Sequence, residues 1–440
     1  MTELLQDIGL SHGLAVLIAK TVGVFVVGIF GLLWTLVGIW IERKLAGRFQ
    51  DRLGPNRVGP FGLIQTVADT VKILLKEDLM PTGVDRWVFN LAPIVSVVSV
   101  ILIWAVVPFS GSWIGTDLNI GVLYLVAVGA FGTVAILMAG WGSNNKFALL
   151  SAFRSVAQLI SYEVPMVLAL LVPVLLSGSM STQTIVQEQH IMYLFAVPLT
   201  VLIFLTSGQA ETGSGPFDLL EAESELVSGF HIEYSGMKFG MFYVAEFLHA
   251  FTIGVLTAIL FMGGWRGPFA EDVPLLGFVY LMIKSLVAYV VLIWVRMTLP
   301  RLRIDQLLDF NWKFLVPLSL VNLLVVAFVW KVVPDTDQIS NLGDAIVPTL
   351  VLLVVNIAMI AVVGAILRER GRRERQRIEA RMTAARADLV LTHAGHGTVI
   401  KSLAHGVPLL CMPVGRDQPD TAARVVACGA GLDAIVPDSS

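Results

Sequence analysis

Three features of this sequence predict an all-α polytopic membrane protein. Of its 440 residues, 56% are apolar and only 14% charged, whereas soluble domains carry about a quarter charged residues. The apolar residues gather into runs of about 20, the length that crosses a bilayer as a helix. The loops between the runs alternate between basic and nearly free of Lys and Arg, the asymmetry that orients membrane proteins. A net charge of −3 carries no nucleic-acid signature. The two cysteines are Cys411 and Cys428, so the first 410 residues offer no thiolate to an iron–sulfur cluster or a zinc ion. No basic leader precedes the first apolar run, which outlasts signal length, so no cleavable signal peptide is expected.

Nine spans are predicted, at residues 14–41, 88–108, 121–140, 157–177, 191–208, 240–263, 276–297, 313–333 and 345–367. The loop after the first carries Arg43, Lys44, Arg48, Arg52, Arg57, Lys72, Lys76 and Arg86; Lys146 and Arg154 follow the third, and Arg301 and Arg303 the seventh. Loops 109–120 and 178–190 contain neither Lys nor Arg. This pattern predicts an N-terminus outside and a C-terminus in the cytoplasm.

Within the first cytoplasmic loop, FGLIQTVADTVKILLKE aligns Leu63, Val67, Val71, Leu74 and Leu75, with Asp69, Lys72 and Lys76 away from that stripe. It reads as an amphipathic interfacial helix, with a solvated connector as the alternative. The loop ETGSGPFDLLEAESEL carries Glu211, Asp218, Glu221, Glu223 and Glu225 with no cation among them. If 217–227 is helical, Asp218, Glu221 and Glu225 share a face and Glu223 lies off it. Carboxylates crowded in a low dielectric cannot all ionise, so some would exchange protons near neutral pH. The alternative is a solvated loop that binds a basic partner. Ionisable residues inside spans are costly and functional by default: Glu163, beside the helix-kinking Pro165, Glu246, Lys284 and Arg296. His249 and His231 lack the spacing of a haem pair, and His249 reads as a packing residue.

Three cytoplasmic stretches carry a resemblance: ERKLAGRFQDRLGPNRVGPFGLIQ (42–65), GWGSNNKFALLSAFRSVAQLISYEVPM (140–166), and the acidic loop continued through GFHIEYSGMKF. Together they resemble the H subunit of the proton-pumping NADH:quinone oxidoreductases (respiratory complex I), over roughly residues 10–368. The resemblance implies a subunit of a bacterial inner-membrane complex that is inactive alone and binds no cofactor. NADH, FMN and iron–sulfur clusters would belong to partner subunits. It would dock peripheral-arm quinone-module subunits on its cytoplasmic loops, frame a quinone chamber open to the lipid bilayer, and abut antiporter-like subunits. Nucleic acid is not an implied partner. The resemblance makes Glu42, Arg43, Asp69, Lys72, Phe230 and Arg296 chamber residues. Glu163, Glu211, Asp218, Glu221, Glu223, Glu225, Glu246 and Lys284 become proton-coupling candidates, and Glu163 matches the Glu of an SYE motif. The family pattern ETNR-x-PFDLPE is altered: Gly213 and Ser214 replace Asn-Arg, and Leu220 replaces Pro, which removes a cation from the acidic loop. The related membrane component of energy-converting hydrogenases is the alternative assignment.

The composition changes after residue 368. Eight arginines fall between Arg368 and Arg386, a basic linker at 369–386 suited to anionic headgroups. Residues 391–425, LTHAGHGTVIKSLAHGVPLLCMPVGRDQPDTAARV, resemble the donor-binding segment of nucleotide-sugar glycosyltransferases. The resemblance implies diphosphate binding by His393 to Thr398 at a helix N-terminus and sugar contacts from Asp417 and Gln418. Fragment 387–440 is too small to bury a core of its own and is expected to be a non-functional α/β-like piece. A membrane-anchored transferase is a further alternative. No pair of matching interrupted spans suggests a secondary transporter.

Overall fold

The computed structural model describes residues 11–219, 227–333, 342–384, 390–392, 409–411 and 431–433. The chain divides into two compact units, Met1–Met359 and Ile360–Ser440.

In the first unit the helices are α1 (His12–Phe49), α2 (Gln65–Leu75), α3 (Arg86–Ile103), α4 (Gly121–Gly142), α5 (Lys146–Ser177), α6 (Thr182–Glu188), α7 (Tyr193–Ala196), α8 (Pro198–Glu211), α9 (Gly236–Phe261), α10 (Pro274–Thr298) and α11 (Ile304–Phe310). A π-helical segment, Asn311–Leu315, leads from α11 into α12 (Val316–Val332). The next helix, α13 (Leu342–Ala384), contains the boundary between the two units. Starts are set locally. Asp85 accepts from the backbone of Trp87 and Val88 to open α3, and Asn145 caps α5. Gly178, at φ +65°, closes α5 in the left-handed conformation.

Among the described residues eight helical stretches are long and apolar enough to cross a bilayer, and they coincide with eight of the nine predicted spans. The fifth differs: residues 191–208 are not one continuous helix. The run breaks between α7 and α8, where Val197 leaves helical geometry at φ −130° and ψ 59°. Pro198 is the cause, since it lacks an amide hydrogen and disfavours helical geometry at the residue before it. With about 1.5 Å rise per residue, α8 alone is shorter than the hydrocarbon core. The amphipathic helix forms as α2. Its Leu63, Val67, Val71, Leu74 and Leu75 stripe is exposed on the isolated chain.

The core centres on α9, which packs on α10, α3, α1 and α8. Every residue from Phe251 to Phe261 is buried, as expected of a helix apolar on all sides. Close approach depends on small residues: a Cβ on Gly254 of α9 would meet the Ser285 carbonyl of α10 at 2.9 Å. A carbonyl freed by a proline is paired across elements. Pro93 removes the amide that would serve the Phe89 carbonyl, and the Tyr234 hydroxyl donates to that carbonyl at 3.1 Å. The two rings stack at 4.0 Å.

In the second unit, short strands β1 (Val390–Thr392), β2 (Leu409–Cys411) and β3 (Gly431–Asp433) form a parallel sheet in the order β1-β2-β3. Val390 lies opposite Leu409, and Leu409 opposite Gly431. The strand pairing accords with the α/β-like reading. The predicted anion-binding turn at 393–398 and the Asp417-Gln418 pair lie outside the described residues.

Gly254→Val is expected to force α9 from α10 at a cost of about 1–3 kcal/mol. A lower yield of chain in the purified membrane complex, with Gly364→Val as a neutral control in open space, is the outcome that checks this.

Candidate functional site

Helices α3, α4, α8 and α9, with the 3₁₀ turn Gly229–His231, enclose a cavity of about 80 Å³. Small residues leave the space, Ser96 and Ser99 on α3 and Gly129 and Gly132 on α4. Glu211 ends α8, while Glu246 and His249, three apart on one face of α9, complete the polar lining with Phe230 and His231. Glu211 Oε1 stands 3.8 Å from His249 Nε2. Its Oε2 is buried with no hydrogen-bond partner among the described residues. Glu163 on α5 is close enough to act on Glu211 electrostatically.

The backbone leaving Glu211 is held from α5. Gln158, fully buried, donates to the Ala210 carbonyl at 2.6 Å and the Phe217 carbonyl at 2.9 Å. Gln209 donates to the Gly215 carbonyl at 2.8 Å. Gly213 adopts φ +65°, a conformation that Gly and Asn accept most readily, so the family's Asn is compatible with this backbone. Ser214 is buried. Leu302 donates to the Pro216 carbonyl at 3.0 Å, which ties the loop to the chain after α10.

Two ionic groups lie further along. Arg296 of α10 pairs with the buried Glu42 of α1 at 2.7 Å. Tyr289, buried on α10, lies near both Glu42 and Glu246. Arg43 pairs with Asp69 on α2 at 2.6 Å, with Lys72 at 3.8 Å and Gln65 donating at 3.2 Å. Burial raises the Asp69 carboxyl, but the Arg43 bond, Gln65 and the neighbouring charges outweigh it and hold it below the usual carboxylate range.

The structure thus brings Glu211, Glu246, Phe230 and Glu163 to one place, Glu42 and Arg296 to a second, and Arg43, Asp69 and Lys72 to a third. Lys284 does not join the carboxylates. Its Nζ donates to the Gly264 and Arg266 carbonyls at 2.9 and 2.8 Å, beside a separate cavity of about 310 Å³ with Gln189, His190 and Glu271. Asp218 is half-buried; Glu221, Glu223 and Glu225, and the helix expected to align them, lie outside the described residues. Sequence reasoning missed Tyr289 and Gln158, and it read His249 as packing. A signal for Tyr289 exists: it precedes Arg296 by seven, hence on one helix face.

The profile of the family described as NADH dehydrogenase matches residues 22–327. The chain belongs to that family. Among curated members, the NADH-quinone oxidoreductase H subunit of Dehalococcoides mccartyi (strain CBDB1) is 47% identical over 334 residues, 75% of this chain and 93% of the relative. The H subunit of Geobacillus kaustophilus (strain HTA426) is 46% identical over 327 residues, 74% of this chain and 95% of the relative. This NADH dehydrogenase family member also matches, at residues 383–438, the profile described as UDP-glucoronosyl and UDP-glucosyl transferase.

His231, outside the spans, supplies a test of how the cavity rim docks. Its ring packs edge-on against Phe230 and Phe239, and burial pushes its pKa down to about 4. The undocked ring takes a proton near 6.5, so docking is complete above that pH and weakens as pH falls toward 4, by at most about 3 kcal/mol. Hydrogen exchange across 227–235 in the intact complex, corrected for intrinsic rates, is expected to quicken between pH 7 and 5. His231→Phe is expected to remove that dependence.

Proposed function

We propose that this chain is the quinone-facing membrane subunit of a proton-translocating NADH:quinone oxidoreductase and carries part of its proton path. The observation that carries the reading is the shared cavity of Glu211, Glu246 and His249, with the Glu42–Arg296 ion pair further along. Reducing a quinone to a quinol consumes two electrons and two protons. A charge change of that kind near buried carboxylates alters which of them hold protons.

Glu42, Arg43, Asp69, Lys72, Phe230 and Arg296 frame the quinone chamber. Asp218, Glu221, Glu223 and Glu225 take part in proton coupling, and Glu163, Glu211 and Glu246 relay protons within the membrane. Lys284, held apart on backbone carbonyls, serves as a separate station at the opposite membrane face. NADH, FMN and the iron–sulfur clusters belong to peripheral-arm partners, and protons pass on to antiporter-like subunits. The family name of the relatives favours this over the hydrogenase-type assignment. With the broken α7–α8 segment counted as a ninth crossing, the basic loops support a bacterial inner-membrane protein with its N-terminus outside and C-terminus in the cytoplasm.

Residues 1–368 form the working domain, 369–386 a basic linker, and 387–440 a glycosyltransferase-like fragment without activity. Chain truncated after residue 386 is expected to assemble and to keep full quinone reductase turnover. Nucleotide-sugar binding by the full protein, lost on truncation, contradicts the assignment of the fragment.

Glu163→Gln keeps shape but cannot exchange a proton. It is expected to lower quinone-linked turnover and proton pumping together, by roughly a hundred-fold, the low end for a lost acid–base group, with assembly intact. Normal pumping in reconstituted vesicles overturns the proton-path reading.

A further inference from the structure

An α-helical carbonyl accepts from the amide four residues on. For Ser161 of α5 that residue is Pro165, which has no amide hydrogen. The Ser161 carbonyl is nevertheless paired: Asn311 Nδ2 donates to it at 2.6 Å. Asn311 is fully buried. Its Oδ1 has no partner among the described residues, so this side chain is engaged through its donor.

Two more bonds hold the same turn of α5. Trp312 Nε1 donates to Ser161 Oγ at 3.3 Å, and the Tyr162 hydroxyl donates to the Leu307 carbonyl at 3.0 Å. Asn311 also opens the π-helical segment that leads into α12. Such wide turns depart from regular helix geometry and concentrate at functional places. Glu163 follows Ser161 by two positions, roughly the opposite side of the helix, and acts on Glu211 from there.

We propose that Asn311 is a positioning residue for Glu163. Its side-chain amide replaces the backbone donor that Pro165 removes, and it thereby fixes this turn of α5 and the placement of the carboxylate against Glu211. The proposal rests on the reading of Glu163 as a proton carrier. The proline loosens the backbone at this turn; the amide holds it in one geometry. Without the amide, an unpaired carbonyl in an apolar setting draws the turn toward other donors, and Glu163 moves with it.

The two residues are then coupled, which a substitution cycle in the intact complex reads directly. Asn311→Leu is near in size and has no donor. It is expected to lower quinone-linked turnover roughly three- to ten-fold, as a small displacement of a working group does, and to displace the pH profile of turnover. Pro165→Ala returns the missing amide, so adding Asn311→Leu to it is expected to cost less than about two-fold and to leave the pH profile where Pro165→Ala alone sets it. An equal loss in both backgrounds, or a loss uniform across pH, overturns the proposal. Where Asn311→Leu alone blocks assembly, Pro165→Ala must restore it, and failure to do so also overturns the proposal. Thermal stability of the complex across the same four variants reads the hydrogen bond independently. An inert Glu163→Gln therefore sinks the proton-carrier reading, whereas additive stabilities in the cycle sink the pairing.

Discussion

No backbone polar group inside a bilayer can turn to water for a partner, and each must be satisfied within the protein. That constraint organises this chain. At Pro93 and Pro165, where a proline removes a local partner, the freed carbonyl is paired from another element: Phe89 by Tyr234, and Ser161 by Asn311. At the end of α9 the same rule uses Gln189, whose Nε2 donates to the Ile259 carbonyl at 2.9 Å while its Oε1 accepts from Gly263 at 2.9 Å. Gln158 does likewise for the chain leaving α8. At the two prolines the bond exchanges a contact between residues four apart for one that joins distant segments, so helix irregularity becomes tertiary order.

These pins place the ionisable groups. Glu211 stands where it does because Gln158 and Gln209 tether the chain beyond it, and Glu246 and His249 because small residues let α9 sit against its neighbours. The carboxylates have unequal surroundings. Glu42 has Arg296 at 2.7 Å and Asp69 has Arg43 at 2.6 Å, whereas Glu211 faces a histidine at the longer distance of 3.8 Å. A buried charge with a close counter-ion is settled; one without is sensitive to any charge that arrives nearby. The absence of the family's arginine at Ser214 belongs with that sensitivity.

Spans were legible because length and apolarity alone mark them, and α2 because its apolar stripe repeats at helical spacing. The break within the fifth span was not legible because its composition is apolar throughout, and the single residue that breaks it, Pro198, was outweighed by its neighbours. The cavity was harder to read. It joins Glu211 with Glu246 and His249 across a loop and half a helix, and nothing in local spacing specifies which helix faces meet. His249 looks like packing until Glu211 is beside it. Asn311 carries no signal of its own, since its role depends on Pro165 in a different helix. The terminal fragment was legible by motif and by its hydrophobic strands, which pair in parallel.

If quinone reduction changes the protonation of the carboxylates around the α8–α9 cavity, their carboxyl vibrations must change with it. Redox-difference infrared spectroscopy of the intact, lipid-reconstituted complex detects this, with glutamate carboxyls labelled by carbon-13. A carboxyl band is expected to appear on quinone reduction, to move with the label, and to vanish in Glu211→Gln. A difference spectrum in which Glu211→Gln leaves every labelled carboxyl band unchanged would contradict a role for this cavity in coupling.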